Sequence, residues 1–251
     1  MDGERWVLAY ERDGAAAHPR STIPSGATLS PGRRLLVGRE GDLPLGVEVY
    51  DRGVSRTAAV VTTAPFGWQV EILNGNGAVL HPWGQAPALA GRHNALTWPR
   101  IGIRLLSGAD PGDADTVQHW LLLESDSINV TNAGASLTGR PSTSTFRRHP
   151  PRPLSPGQLE ALQVVFADQL RWPPAQPAEP LLLRSAARRL GISESGVQER
   201  LAKALDRALR LGLPRAVGLT DPQYLYVLVR AGYVPLPERR PHRRSLVWPP
   251  A

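Results

Sequence analysis

Four polar side chains stand where short apolar runs stop or start. Arg39 follows Leu35-Leu36-Val37-Gly38, Ser55 and Arg56 close the run Asp51-Arg52-Gly53-Val54-Ser55-Arg56, and Asn76 lies in Asn74-Gly75-Asn76-Gly77. An arginine leaving a strand can fork its guanidinium onto two oxygens of one anion. Ser55 adds a hydroxyl donor and Arg56 a second cation. Asn76 carries an amide that both donates to and accepts from a peptide main chain. Such a set suits a dianionic, oxygen-rich group such as a phosphate monoester on an extended peptide. Asn74 is a weaker candidate, expected to shape the turn. Gly38 and Gly77 are expected to supply unusual backbone angles rather than ligand contacts.

No constellation for catalysis accompanies these residues. The six histidines have neither His-x-His nor His-Glu-x-x-His spacing, cysteine is absent, and neither Gly-x-x-x-x-Gly-Lys nor Gly-x-Ser-x-Gly occurs. The expectation is a non-enzymatic binding protein with no metal and no cofactor.

The candidates need a frame that presents several loops at one end. Trp6 to Tyr10, Leu35 to Val37 and Thr57 to Thr63 read as strands, and Val47 to Tyr50 alternates as a half-buried strand does. Trp68, Val70 and Ile72 alternate with Gln69 and Glu71, and Ile101, Ile103 and Leu105 with Gly102 and Arg104. Asn76-Gly77 is a hairpin signal before Ala78-Val79-Leu80, and Val117 to Leu123 is a last apolar strand. About ten short strands with regular turns imply an all-β sandwich over residues 1–125.

The order Gly38-Arg39, Val54-Ser55-Arg56 about sixteen residues on, a strand holding Trp68, then Asn76-Gly77 resembles the forkhead-associated (FHA) domain. That resemblance covers roughly residues 5–125. It implies an eleven-stranded sandwich that binds phosphothreonine peptides on its loops. Arg39 and Ser55 match the family's phosphate-binding pair, Arg56 the residue after that serine, and Asn76 the asparagine that orients the peptide. The family's histidine three residues beyond the serine, which braces the loop from below, is Ala58 here. Alanine offers no side-chain hydrogen bond, so the loop must be held another way or the pocket is degraded.

Charge divides the chain. Residues 1–125 carry 11 Lys+Arg against 13 Asp+Glu, and residues 126–251 carry 18 against 9. Such asymmetry suggests two domains with different partners, the basic half having the usual footprint of nucleic-acid binding. No signal peptide and no apolar run long enough to span a bilayer is evident, so a cytoplasmic protein without a membrane partner is expected. Residues 126–153, rich in Ser, Thr, Asn, Gly and finally Pro, read as a linker. Thr138, Ser142, Thr143, Ser144 and Thr145 lie near arginines, where a serine/threonine kinase can act. The chain's own FHA-like domain would then have a ligand in cis.

Residues 154–236 carry helical periodicity. Ser155-Pro156-Gly157-Gln158 is a capping-box start to a helix whose apolar face runs to Leu170 and which Pro173-Pro174 stops, and Leu181 to Leu190 is a second helix. After Gly191-Ile192-Ser193, Val197, Leu201, Ala204 and Ala208 stripe a third. Thr220 is expected to cap a fourth. Ala187, Gly191 and Val197 resemble the spacing of helix-turn-helix units in sigma factors and response regulators. By that resemblance Ser195, Gln198 and Lys203 face a DNA groove, and Arg184, Arg188 and Arg189 contact phosphates. Glu194 and Glu199 on the same helix would be repelled by DNA. Residues 237–251 form a basic, proline-rich tail.

The expected whole is a signalling adaptor whose FHA-like domain reads phosphothreonine on a partner, a kinase or its substrate, and whose helical domain regulates transcription on DNA. Two alternatives stand beside it. One is a scaffold whose helical domain docks a protein. The other is a degenerate FHA domain making phosphate-independent contacts.

Overall fold

A computed structural model of the chain describes residues 5–13, 25–47, 50–108, 117–128, 152–174 and 176–237. Most of the expected linker, with the five Ser and Thr residues proposed for phosphorylation, and nearly all of the basic tail lie outside the described residues. The described residues fall into two compact units, one of 5–82 with 87–128, the other of 83–86 with 152–237.

The first unit is built from β1 (Arg5–Asp13), β2 (Ser25–Thr28), β3 (Arg34–Gly38), β4 (Leu43–Pro44), β5 (Ala59–Ala64), β6 (Gly67–Ile72), β7 (Ala78–Pro82), β8 (Ala88–Leu89), β9 (His93–Leu96), β10 (Arg100–Leu105) and β11 (Val117–Ser125). They form two sheets, ordered β2-β1-β11-β10-β7-β8 and β4-β3-β5-β6-β9. Among the described residues, all pairings are antiparallel except β3 with β4. This is an all-β sandwich. Alternation supplies its core: in β6, Trp68, Val70 and Ile72 are buried while Gln69 is exposed. Trp68, Trp120, Ile101, Ile103 and Leu121 are fully buried, each worth about 1.5–3 kcal/mol or more of transfer free energy.

Arg5 closes the far end of one hairpin. Its guanidinium donates to the carbonyls of Ala64, Gly67 (2.7 Å) and Pro65 (3.0 Å), and stacks 5.8 Å from the Trp68 ring centroid. Carbonyls left over where β5 turns into β6 are thereby satisfied.

The two described residues of the strand expected over Val47 to Tyr50 are not in strand geometry, and residues 48–49 lie outside the described residues. Val47 and Tyr50 lie in turns, 47% and 64% exposed. Gly46, at φ +80, turns the chain out of strand geometry immediately before them. Conversely, β2 and β9 arise in stretches with little alternation. They pair as edges to β1 and β6, so neighbours rather than their own pattern define them.

The second unit holds α1 (Pro156–Val165), α2 (Leu183–Leu190), α3 (Glu194–Arg210) and α4 (Gln223–Arg230). The Ser155 capping box forms: Ser155 Oγ accepts from Gln158 N–H at 3.3 Å and Gln158 Oε1 from Ser155 N–H at 2.9 Å. The helix stops at Val165, with residues 166–170 in turns, short of Leu170 and of the expected stop at Pro173-Pro174. Gly191, at φ +65, ends α2, and Ser193 Oγ caps α3 by accepting from Gly196 N–H at 3.1 Å. α3 packs against the other three helices through Val197, Leu201, Ala204 and Ala208. Thr220 is not the cap of α4. Pro222 stands at the N-cap, so the start moves past Thr220, and the Asp221 carboxylate accepts from Gln223 N–H at 2.9 Å.

Candidate phosphate-binding site

The end of β3 and the loop before β5 are fastened together by main chain. Ala58 N–H donates to Val37 O (2.7 Å), Arg39 N–H to Ser55 O (3.2 Å) and Glu40 N–H to Arg56 O (2.8 Å). Gly38 makes this approach possible. Its φ is +148, and a Cβ there would stand 2.4 Å from Arg56 O. Arg39 therefore leaves its strand beside Ser55.

The Arg39 guanidinium is held on two sides. Nε donates to Val54 O at 2.6 Å, Nη1 donates to the Tyr50 hydroxyl at 3.0 Å, and the Tyr50 ring lies 5.2 Å beneath the cation. Among the described residues, Nη2 has no hydrogen-bond partner, so one edge of the fork remains for an anion.

Ser55 is anchored by its backbone and oriented by its oxygen. Its N–H donates to Asn74 Oδ1 (3.0 Å), and its Oγ accepts from Gly75 N–H (3.1 Å). With a lone pair so occupied, the hydroxyl hydrogen is left to donate outward. Arg56 is 75% exposed and only 3.8 Å from Glu40, an exposed pair that leaves it available to a phosphate. Asn76, also exposed, donates from Nδ2 to Gly53 O at 3.0 Å, and its Oδ1 has no partner among the described residues.

Asn74 is more than a turn former. Buried to 6% exposure, it accepts from Ser55 N–H and donates to Gly77 O (2.9 Å) and Leu106 O (2.8 Å). One side chain thus ties the Ser55 loop, the following turn and the end of β10. The brace absent at Ala58, itself fully buried, comes from here.

A second buried group lies behind the same loop. His119 on β11 is 1% exposed, with Nδ1 3.2 Å from Glu11 Oε1 and Nε2 3.1 Å from Asp51 Oδ2. Glu11 and His119 are direct cross-strand partners, and Glu11 Oε1 also accepts from Gly46 N–H at 2.6 Å.

In the second unit, Ser195, Gln198 and Lys203 are exposed along α3, and Arg184, Arg188 and Arg189 are exposed on α2. Lys203 Nζ is 2.7 Å from Glu199 Oε1, and Arg210 pairs with Asp206 at 2.9 Å. The lysine beside it holds the Glu199 carboxyl below the usual carboxylate range. Among the described residues, no cluster of three His, Asp or Glu could hold a metal ion, and no helix is long and apolar enough to cross a membrane.

No family model and no curated protein matches the sequence. Among solved structures, the chain is similar to the FHA domain of CT664 protein from Chlamydia trachomatis. Identity is 18% at a TM-score of 0.32, over 48% of this chain and 96% of that domain. At that TM-score the likeness carries no functional weight; the loop geometry does.

Proposed function

We propose that the first unit is an FHA-type module that binds phosphothreonine peptides and works as a non-enzymatic adaptor. The observation carrying this reading is the join between Arg39 and Ser55. A guanidinium edge and an outward hydroxyl sit on loops bonded to each other, on a braced frame, with Arg56 beside them. The phosphate takes the Nη2 edge of Arg39 and the Ser55 hydroxyl, Arg56 adds a longer-range charge, and Asn76 reads the peptide main chain. Three charge-assisted bonds contribute roughly 5–9 kcal/mol, against an association cost on the order of 4–15 kcal/mol. Flanking peptide residues must therefore supply the rest of the affinity. The test is a fluorescently labelled degenerate phosphothreonine library, titrated against its unphosphorylated counterpart. Retention of the phosphorylated pool alone supports the reading, and equal retention of both removes it.

The second unit carries the output. Two cations on the outward side of α3 are engaged by Glu199 and Asp206. That favours a protein partner over a DNA groove, where each acid would face phosphates. A gel-shift titration in salt separates the two: a DNA complex held by Arg184, Arg188, Arg189 and Lys203 weakens steeply as salt rises. No shift at low salt supports the scaffold.

A further inference from the structure

The buried histidine behind the loop is connected to the peptide-reading amide by an unbroken chain of polar contacts. His119 Nε2 meets Asp51 Oδ2 at 3.1 Å, Asp51 Oδ1 accepts from Gly53 N–H at 2.7 Å, and Gly53 O accepts from Asn76 Nδ2 at 3.0 Å. The other end is fixed to the sheet: His119 Nδ1 meets Glu11 Oε1, which also holds Gly46 N–H. Gly46 and Asp51 are bonded to each other, Asp51 N–H donating to Gly46 O at 3.3 Å. The imidazole thus bears on both ends of the segment that leads into Ser55. Gly53 is packed closely, since a Cβ there would stand 2.6 Å from Gly108 N, and its N–H is held by Asp51 Oδ1.

We propose that His119 is a positioning residue of the binding site, acting through Asp51 and Gly53 to set the orientation of the Asn76 amide. Burial of one imidazole between two carboxylates is costly unless every contact is made. Stability alone has a cheaper solution in an apolar pair at this cross-strand position. What the polar arrangement adds is a fixed Asp51 carboxylate, with Oδ2 against the ring and Oδ1 holding Gly53. Asn74 braces Ser55 from one side; the His119 clip braces the front of the same loop from another.

The affinity arm of the test rests on the phosphothreonine reading, and the spectroscopic arm does not. In the full chain, Asp51→Asn and His119→Gln are each compared with wild type by amide-resolved NMR and by titration with the labelled phosphothreonine library. Asp51→Asn is the variant that keeps size and alters a loop residue outside the core. The expected result is displacement of the Gly53 amide and Asn76 side-chain signals in both variants, with the remainder of the spectrum dispersed as in wild type. Binding of the library weakens about fivefold to tenfold, while Asn76→Ala in the Asp51→Asn background adds little further. Unmoved Gly53 and Asn76 signals in a folded Asp51→Asn protein overturn the proposal. If the wild-type chain ignores the library, the phosphothreonine reading falls, and the NMR signals still decide the role of His119.

Discussion

Asn74 accepts the main-chain N–H of Ser55 at 3.0 Å from a buried position beneath the loop. An asparagine three residues from the hairpin glycine thus does the bracing that Ala58 cannot. Its two other bonds reach Gly77 O and Leu106 O, so the Ser55 loop, the turn before β7 and the end of β10 converge on one amide. Asn74→Ala leaves Ser55 N–H and Leu106 O without partners, while Gly77 O keeps Leu106 N–H at 3.1 Å. At about 1–3 kcal/mol for each buried group, partly relieved by water, the unfolding free energy in urea is expected to fall by about 3 kcal/mol. Phosphothreonine affinity falls with it. A loss below about 1 kcal/mol would mean the loop holds itself.

Gly38 yields a backbone prediction. The φ of +148 and the 2.4 Å approach to Arg56 O forbid a Cβ without movement of the loop. Gly38→Ala is expected to lower stability by about 1–3 kcal/mol and to weaken peptide binding by more than the stability loss implies, because Arg39 and Ser55 separate. Thermal unfolding and library titration on the same preparation check both.

Tyr50 is expected to set the pose of Arg39. Cation–π contacts at exposed sites are worth about 0.5–1 kcal/mol, so Tyr50→Ala should weaken phosphopeptide binding about fivefold. Tyr50→Phe keeps the ring and should lose less. Equal loss in both would assign the effect to the hydroxyl at 3.0 Å from Nη1.

His81 makes the fold sensitive to acid. It lies edge-on to Trp120 at 4.8 Å, and burial, with Arg104 nearby, pushes its pKa down from 6.5 to about 4. The fold therefore prefers the neutral ring. That contribution is complete above about pH 6.5 and is lost as pH falls toward 4, because the unfolded chain binds the proton first. The full effect is about 3 kcal/mol. Urea midpoints at pH 7.5 and 4.5 should separate more in wild type than in His81→Gln.

The sandwich was legible where one face alone is wet. Trp68, Val70 and Ile72 announce β6 because Gln69 is exposed beside them, and the Ser155 capping box announces α1 because both partners are local. Local pattern misled at Val47 and Tyr50, which lie in turns after Gly46, and Tyr50 is used by Arg39 instead. It also misled at Thr220, where Pro222 moves the helix start. Arg39, Ser55, Arg56 and Asn76 were visible as polar residues at strand ends. Asn74 was visible only as a weaker candidate expected to shape the turn, and the roles of Tyr50, Asp51 and His119 were not legible, because they depend on partners outside their own segments. Leu106 lies 32 residues from Asn74, and Glu11 lies 108 from His119. A hint existed only in Asn74, a second asparagine beside the hairpin signal.

The central claim is that Arg39 and Ser55 grip one phosphate. The most direct measurement is fluorescence anisotropy of the phosphothreonine library and its unphosphorylated twin against wild type, Arg39→Ala and Ser55→Ala, with folding of each checked by circular dichroism. Wild type is expected to bind the phosphorylated pool alone, and both folded variants to lose it by at least tenfold. Equal affinity of wild type for the two pools, or undiminished binding by folded Arg39→Ala, would contradict it.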